Sequence, residues 1–198
     1  MSAAGAVFDR IRRVLLVPVI RLEDSAGALA LVDRLLAAGL DVIEVTTTID
    51  GWDTVIETIR GSHPEACVGA GTVTTPALAA RALEVGAQFC VSPSLVPCVR
   101  PALAETEVPL IEGGLTPTEV LGAARQGVTK PVPAHVGGIS YLRSLLAVAP
   151  EARIMPTGGI PLTEAAEWLA AGAFAVGIGS DLTAPGDIAA RVAEVLDP

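Results

Sequence analysis

The chain has 198 residues, of which 51% are hydrophobic and 18% charged, and its formal net charge is -9. That length and apolar content suit one large domain, residues 1–198, with a substantial core. The acidic balance and an aromatic content of 3% argue against a nucleic-acid partner, and no apolar run approaches the ~18 residues of a membrane span. Any anion site must therefore be local, built from backbone N–H groups and a few arginines. Cys67, Cys90 and Cys98 form no CxxC or His-linked metal pattern, and they read as reduced residues of a cytoplasmic protein. His63 and His135 are the only histidines, so no metal site is expected.

Residues 1–13 have no charged-then-apolar signal layout and are expected to form a short helix covering one end of the fold. From there β-branched runs alternate with Ala/Leu-rich amphipathic stretches. A strand at 15–20 precedes a helix at 27–38, and 41–45 precedes 54–59. The pattern repeats with 67–71 and 76–84, 89–91 and 95–104, 108–111 and 117–125, 128–132 and 139–147, 152–155 and 162–170, and 173–178 and 186–195. Several helical stretches open on Pro or a Ser/Thr/Asp cap and close on Gly, as at Gly39, Gly86 and Gly172. The strands are continuously apolar, the mark of a parallel sheet buried on both faces. A doubly wound open sheet also fits such alternation, but eight units favour a single (β/α)8 TIM barrel.

A barrel makes a sharp demand, because its reactive groups sit on the loops at the strand C-termini. Read in order, those ends carry Arg21, then Glu44 with Thr46 and Thr48, Thr72, Ser92-Pro93, Glu112, Lys130, Thr157-Gly158-Gly159, and Gly179-Ser180. This set unites a carboxylate, a lysine, an arginine and two glycine-rich anion loops. Lys130 stands out, since all but one of the 13 Lys and Arg residues are arginine. A desolvated ammonium can give up its proton and act as a nucleophilic amine, which a guanidinium cannot. Such an amine is what Schiff-base chemistry on a ketone requires. Pro131 and Pro133 remove two backbone donors beside it, so the strand is expected to fray into its loop at the lysine.

Glu44 ends the apolar run Val42-Ile-Glu-Val45, and a carboxylate in a partly desolvated barrel mouth suits proton transfer. Thr72 follows Gly69-Ala-Gly71 with a hydroxyl able to bind a carboxylate. Met155-Pro-Thr-Gly-Gly-Ile160 and Gly177-Ile-Gly-Ser-Asp181 are loops whose glycines let backbone N–H groups approach an anion.

Taken together, these motifs resemble the 2-keto-3-deoxy-6-phosphogluconate (KDPG) and 4-hydroxy-2-oxoglutarate (KHG) aldolase family of class I aldolases. The matching stretches are Val17-Pro-Val-Ile-Arg21, Val42-Ile-Glu-Val-Thr46, Val68-Gly-Ala-Gly-Thr-Val73, Val91-Ser-Pro93, Thr116-Pro-Thr-Glu119, Lys130-Pro-Val-Pro-Ala134, Pro156-Thr-Gly-Gly159 and Gly177-Ile-Gly-Ser180. The resemblance implies that Lys130 is the Schiff-base lysine and Glu44 the general acid/base. It puts Arg21 and Thr72 on the pyruvyl carboxylate, Gly158, Gly159 and Ser180 on a phosphate, and Pro93 in the pocket wall beside Thr157. It further implies a cytoplasmic homotrimer acting on a small keto acid, with no metal or other cofactor.

Where the family's pattern has an aromatic two residues past the lysine, this chain has Val132. Glu112 stands in place of a common proline and is expected in the pocket, within pairing reach of Lys130. His135 is also expected there. The leading expectation is cleavage of a KDPG-like phosphorylated acid to pyruvate and glyceraldehyde 3-phosphate. The alternatives are a pyruvate aldolase for an unphosphorylated 4-hydroxy-2-keto acid, favoured if Glu112 and His135 line the distal pocket, and a non-catalytic phosphoanion-binding barrel.

Overall fold

Eight strands and the helices between them make up the computed structural model, which describes residues 2–184 and 186–196. The ends of the expected 1–198 domain, and Met1 of the expected N-terminal helix, lie outside those residues. The strands are β1 (Leu16–Ile20), β2 (Val42–Thr46), β3 (Cys67–Gly71), β4 (Cys90–Val91), β5 (Leu110–Gly114), β6 (Val128–Pro131), β7 (Arg153–Ile154) and β8 (Val176–Ile178). The helices are α1 (Ala3–Val14), α2 (Ser25–Ala37), α3 (Trp52–Ser62), α4 (Pro76–Glu84), α5 (Arg100–Leu103), α6 (Pro117–Ala124), α7 (Gly138–Val148), α8 (Ala165–Ala170), α9 (Ser180–Thr183) and α10 (Ile188–Leu196).

All paired strands run parallel, in the order β7-β6-β5-β4-β3-β2-β1-β8. Each strand from β2 to β7 lies beside its predecessor, and β8 returns to β1. The two ends of the curled sheet meet at a thin seam, a bridge between Thr157 and Gly177. There Phe174 N–H donates to Ile154 O at 2.7 Å and Gly177 N–H to Pro156 O at 2.9 Å. The architecture is (β/α)8-like, as the alternation implies.

Strand alternation divides the core in two. Val17, Val42, Cys67, Phe89, Val91, Ile111, Val128 and Met155 point inward and pack with Phe8 and Ile11 of α1. Leu16, Ile20, Ile43, Val45, Val68 and Ala70 face outward onto the helical layer. Helix α1 covers the strand N-terminal end. Ser2 Oγ accepts Gly5 N–H at 3.1 Å, and Arg10 and Arg13 both reach Asp41 Oδ2, at 2.9 and 2.7 Å. Burying Phe8 and Ile11 contributes about 1.5–3 kcal/mol each.

Local signals set the helix starts. Thr75 caps Leu78 N–H ahead of Pro76, and Thr116 with Glu119 forms a capping box ahead of Pro117. Two expected helices are shorter than their patterns. The 95–104 stretch is helical only over Arg100–Leu103, because Pro97 disfavours a helical Val96 and the Val96 N–H goes instead to the Glu112 carboxylate at 2.9 Å. The 162–170 stretch opens as a 3-10 turn over Leu162–Glu164, with Leu162 N–H held by Asp181 Oδ2 at 2.6 Å.

The lysine strand does not fray at Lys130, contrary to expectation. β6 stays in register to Pro131, which pairs with Gly114. Val132 N–H then donates to Gly114 O at 3.0 Å and Thr157 N–H to Pro131 O at 3.1 Å. The N–H that Pro131 lacks would have faced Met155 O across the ladder. That carbonyl accepts the Thr157 hydroxyl at 3.1 Å instead, so the proline is accommodated inside a regular strand.

Candidate active site

Lys130 shares the inward face of β6 with Val128 and is only 5% exposed. Its Nζ lies 3.4 Å from Oε1 of Glu44, an inward residue of β2 that is 1% exposed. Glu44 Oε2 is buried with no hydrogen-bond partner among the described residues. One carboxylate oxygen thus holds the amine while the other is unengaged. The close fit depends on Gly71 of the neighbouring β3, where a Cβ would lie 2.2 Å from Glu44 Oε1. In the sequence Gly71 was legible only as the last residue of the third strand, ahead of Thr72. Its use as space for a carboxylate arises from the pairing of Thr46 with Gly71 across the two strands.

At the end of β1, Arg21 donates from Nη1 to Thr48 Oγ1 and from Nη2 to Thr72 Oγ1, both at 3.3 Å. Thr72 sits at φ 62, a left-handed conformation that costs a β-branched residue about 1–3 kcal/mol. The Thr47 hydroxyl, donating to Thr72 O at 3.0 Å, helps to hold it there. Thr72 Oγ1 accepts from the guanidinium, which leaves its own hydroxyl hydrogen for an acidic ligand. A cation and a hydroxyl donor thus stand together at this end, a pairing suited to a carboxylate.

The opposite end is formed by the loops after β7 and β8. Gly158 (φ 93) and Gly159 (φ 70) adopt the left-handed backbone that glycine tolerates. The lysine loop is laced to this turn, with Ala134 N–H donating to Thr157 O at 2.9 Å and His135 N–H to Gly158 O at 3.3 Å. One cavity of about 620 Å³ is walled by Arg21, Glu44, Thr72, Pro93, Lys130, Thr157, Gly158, Gly159 and Ser180. Every one of these was singled out in the sequence. Val132 also lines the cavity, as does Asp181, to which the sequence reading gave no role. Asp181 accepts Leu162 N–H and pairs through Oδ1 with Arg191 Nη2 at 3.2 Å, so it links the two glycine loops to α10. Its position straight after Gly179-Ser180 was the available signal.

Glu112 and His135, expected in the pocket, are not on its wall. In β5 the inward residue is Ile111, so the next side chain, Glu112, turns outward. Its register partner is Thr129, not Lys130. Both carboxylate oxygens are engaged behind the sheet, one by Val96 N–H and the other by Arg100. Glu112 therefore anchors the segment leading from Pro93 into α5 and has no contact with the lysine. His135 is exposed and backs the glycine turn from outside, with its ring Nδ1 3.3 Å from Gly158 O. Burial pushes the thiols of Cys67 and Cys90 up to about 11 and about 12, as for inert core residues. Among the described residues no group of three or more His, Cys, Asp or Glu is placed to hold a metal ion, and no helix is long and apolar enough to cross a membrane.

The family model for KDPG and KHG aldolase matches residues 7–195. The KHG/KDPG aldolase of Escherichia coli K12 is 36% identical over 157 residues, covering 78% of this chain and 74% of that protein. Among solved structures, a KDPG aldolase from Legionella pneumophila, with pyruvate captured as a covalent carbinolamine, superposes with a TM-score of 0.83. It has 30% identity and 97% coverage of both chains. The 2-keto-3-deoxy-6-phosphogluconate aldolase of Zymomonas mobilis ZM4, solved with 3-phosphoglycerate, gives a TM-score of 0.81 and 31% identity, with 95% of this chain and 92% of that one covered.

Proposed function

The chain belongs to the KDPG and KHG aldolase family, and from that premise we propose that it is a class I aldehyde-lyase that cleaves a 2-keto-3-deoxy-6-phospho acid. The observation that carries this reading is the buried contact of 3.4 Å between Lys130 Nζ and Glu44 Oε1, in a cavity also walled by Arg21 and Thr72 and by Gly158, Gly159 and Ser180.

In this reading the neutral Lys130 amine attacks the C2 ketone, and Glu44 transfers the proton that lets the carbinolamine lose water. The resulting iminium draws the C3–C4 bonding electrons to nitrogen while a carboxylate oxygen of Glu44 takes the C4 hydroxyl proton. Glyceraldehyde 3-phosphate departs and leaves an enamine. Protonation of that enamine at C3, then hydrolysis, yields pyruvate and restores the amine. Arg21 and Thr72 hold the C1 carboxylate throughout. The backbone N–H groups around Gly158 and Gly159, with Ser180, receive the phosphate. Because the iminium itself is the electron sink, the sequence of steps needs no metal. The same reading includes a cytoplasmic homotrimer.

The unphosphorylated alternative would be favoured by Glu112 and His135 lining the distal pocket, and neither is on the cavity wall. An aldol screen with pyruvate as donor tests the choice. Glyceraldehyde 3-phosphate is expected to be the preferred acceptor over glyceraldehyde and glyoxylate, and a preference for either unphosphorylated aldehyde would overturn it.

Two further results are expected. Arg21→Ala should weaken pyruvate binding by about 1.5–3 kcal/mol, the scale of hydrogen bonds between a charged donor and a carboxylate. Thr48→Ala should cost far less, because the guanidinium keeps its charge. Half-saturating pyruvate in borohydride trapping measures both, and equal losses would move the carboxylate site away from Arg21. Gly71→Ala should lower turnover on the order of 100-fold with the fold retained. Its methyl would push the Glu44 carboxylate off Lys130, and displacements near 1 Å cost that much. Unchanged turnover with an intact circular dichroism spectrum would show that the carboxylate's place is immaterial.

A further inference from the structure

The bonds around Arg21 run in one direction. Ile20 O can only accept, so the 2.9 Å contact from Thr46 Oγ1 uses the Thr46 hydroxyl hydrogen. The 2.9 Å contact between Thr46 Oγ1 and Thr48 Oγ1 must then be donated by Thr48. With its hydrogen spent, Thr48 Oγ1 is left as the acceptor for Arg21 Nη1 at 3.3 Å. The chain runs from the Arg21 guanidinium through Thr48 and Thr46 to the carbonyl of Ile20, the residue that precedes Arg21. It leaves β1 by a side chain, crosses to β2 and returns to the β1 backbone.

We propose that Thr46 and Thr48 form a hydroxyl relay that fixes the Arg21 guanidinium for the substrate carboxylate, which makes Thr48 a positioning residue for binding. The proposal rests on the reading of Arg21 as the carboxylate's partner. Arg21 is exposed at the cavity rim, and a long side chain there samples many rotamers unless it is held. Thr46, fully buried, supplies the rigid end. Thr48 is exposed and transmits the constraint. Thr72 engages the other terminal nitrogen, so the guanidinium plane is set from the loops after β2 and β3 before a ligand arrives. Ordering the arginine during folding removes that cost from binding. The relay touches neither Lys130 nor Glu44, so it should act on affinity and leave the rate at saturation alone.

The test measures pyruvate affinity by calorimetry, with borohydride trapping in parallel. Thr48→Val, which keeps shape but removes the hydroxyl, should weaken pyruvate roughly three- to tenfold, the scale of one net hydrogen bond. The trapping rate at saturating pyruvate should not change. Thr48→Ser should restore affinity, since it returns the hydroxyl. In an Arg21→Ala background Thr48→Val should add nothing, because the relay then has nothing to orient. An equal loss in that background, no rescue by Ser, or a lower saturating rate at unchanged affinity would each overturn the relay. Thr48 is on the surface, so these variants are expected to fold, and Thr46→Ser should behave as wild type. The two readings fail separately. Calorimetry can uphold the relay where trapping labels no lysine, and trapping can succeed where the Thr48 effects are absent.

Discussion

Lys130→Arg is expected to abolish both lyase activity and the covalent adduct left by pyruvate and borohydride. The fall should exceed about 10⁴-fold, because the whole nucleophilic route is lost and not one contact within it. Arginine keeps the positive charge beside Glu44 and most of the bulk, so the buried pair retains its sign and the core its volume. What arginine cannot do is become a neutral amine. Lys130 is the only lysine of the chain, so a residual adduct could form only at the N-terminal amine. Intact mass of the trapped protein is the measurement. An adduct that persists in the variant would refute imine formation at this residue, whatever happens to activity.

Glu44→Gln is the second large effect. The amide keeps an oxygen that can accept from Lys130 Nζ, so the geometry at 3.4 Å is retained. It cannot take and return a proton, and general acid/base contributions of this kind are worth about 10²–10⁴ in rate. Carbinolamine dehydration, C4 hydroxyl deprotonation and enamine protonation all draw on the same carboxylate, so turnover should fall toward the upper end of that range. Half-saturating substrate should change little, because Arg21, Thr72 and the glycine loops are untouched. Pyruvate should still be trapped, only more slowly. Steady-state kinetics with single-turnover trapping separates these steps. If turnover drops less than tenfold, another group carries the protons and Glu44 only holds the amine.

Much of the site was legible because strand C-termini in this class of fold converge, whatever lies between them. Lys130 and Glu44 are 86 positions apart in the chain, yet each could be assigned to a strand end from local pattern alone. The same holds for Arg21, Thr72, Pro93 and the two glycine runs. Glu112 exposes the limit of that reasoning. A strand end was enough to place it at the barrel mouth, but the side of the wall depends on whether Glu112 or its neighbour Ile111 is the inward residue. One residue of phase separates a pocket wall from the helical layer. Asp181 is the converse case, a cavity residue whose neighbours Ser180 and Gly179 drew attention while its own contacts, to Leu162 and Arg191, lie in other elements.

By itself the sequence determined the alternation of apolar strands with capped helices, the parallel and doubly buried character of the sheet, and the chemistry available at its loops. Those are local properties: periodicity, caps such as Thr116-Pro117, and the singular Lys130 among arginines. Tertiary structure alone decided the strand registers, and with them which carboxylate faces the lysine, which glycine makes room for it, and how Pro131 survives inside a strand with the Thr157 hydroxyl in place of its missing N–H. The physical reason is that register is set by hydrogen bonds between segments distant in the chain. A shift of one residue reverses every side chain across the sheet, and no local pattern around Glu112 or Pro131 carries that information.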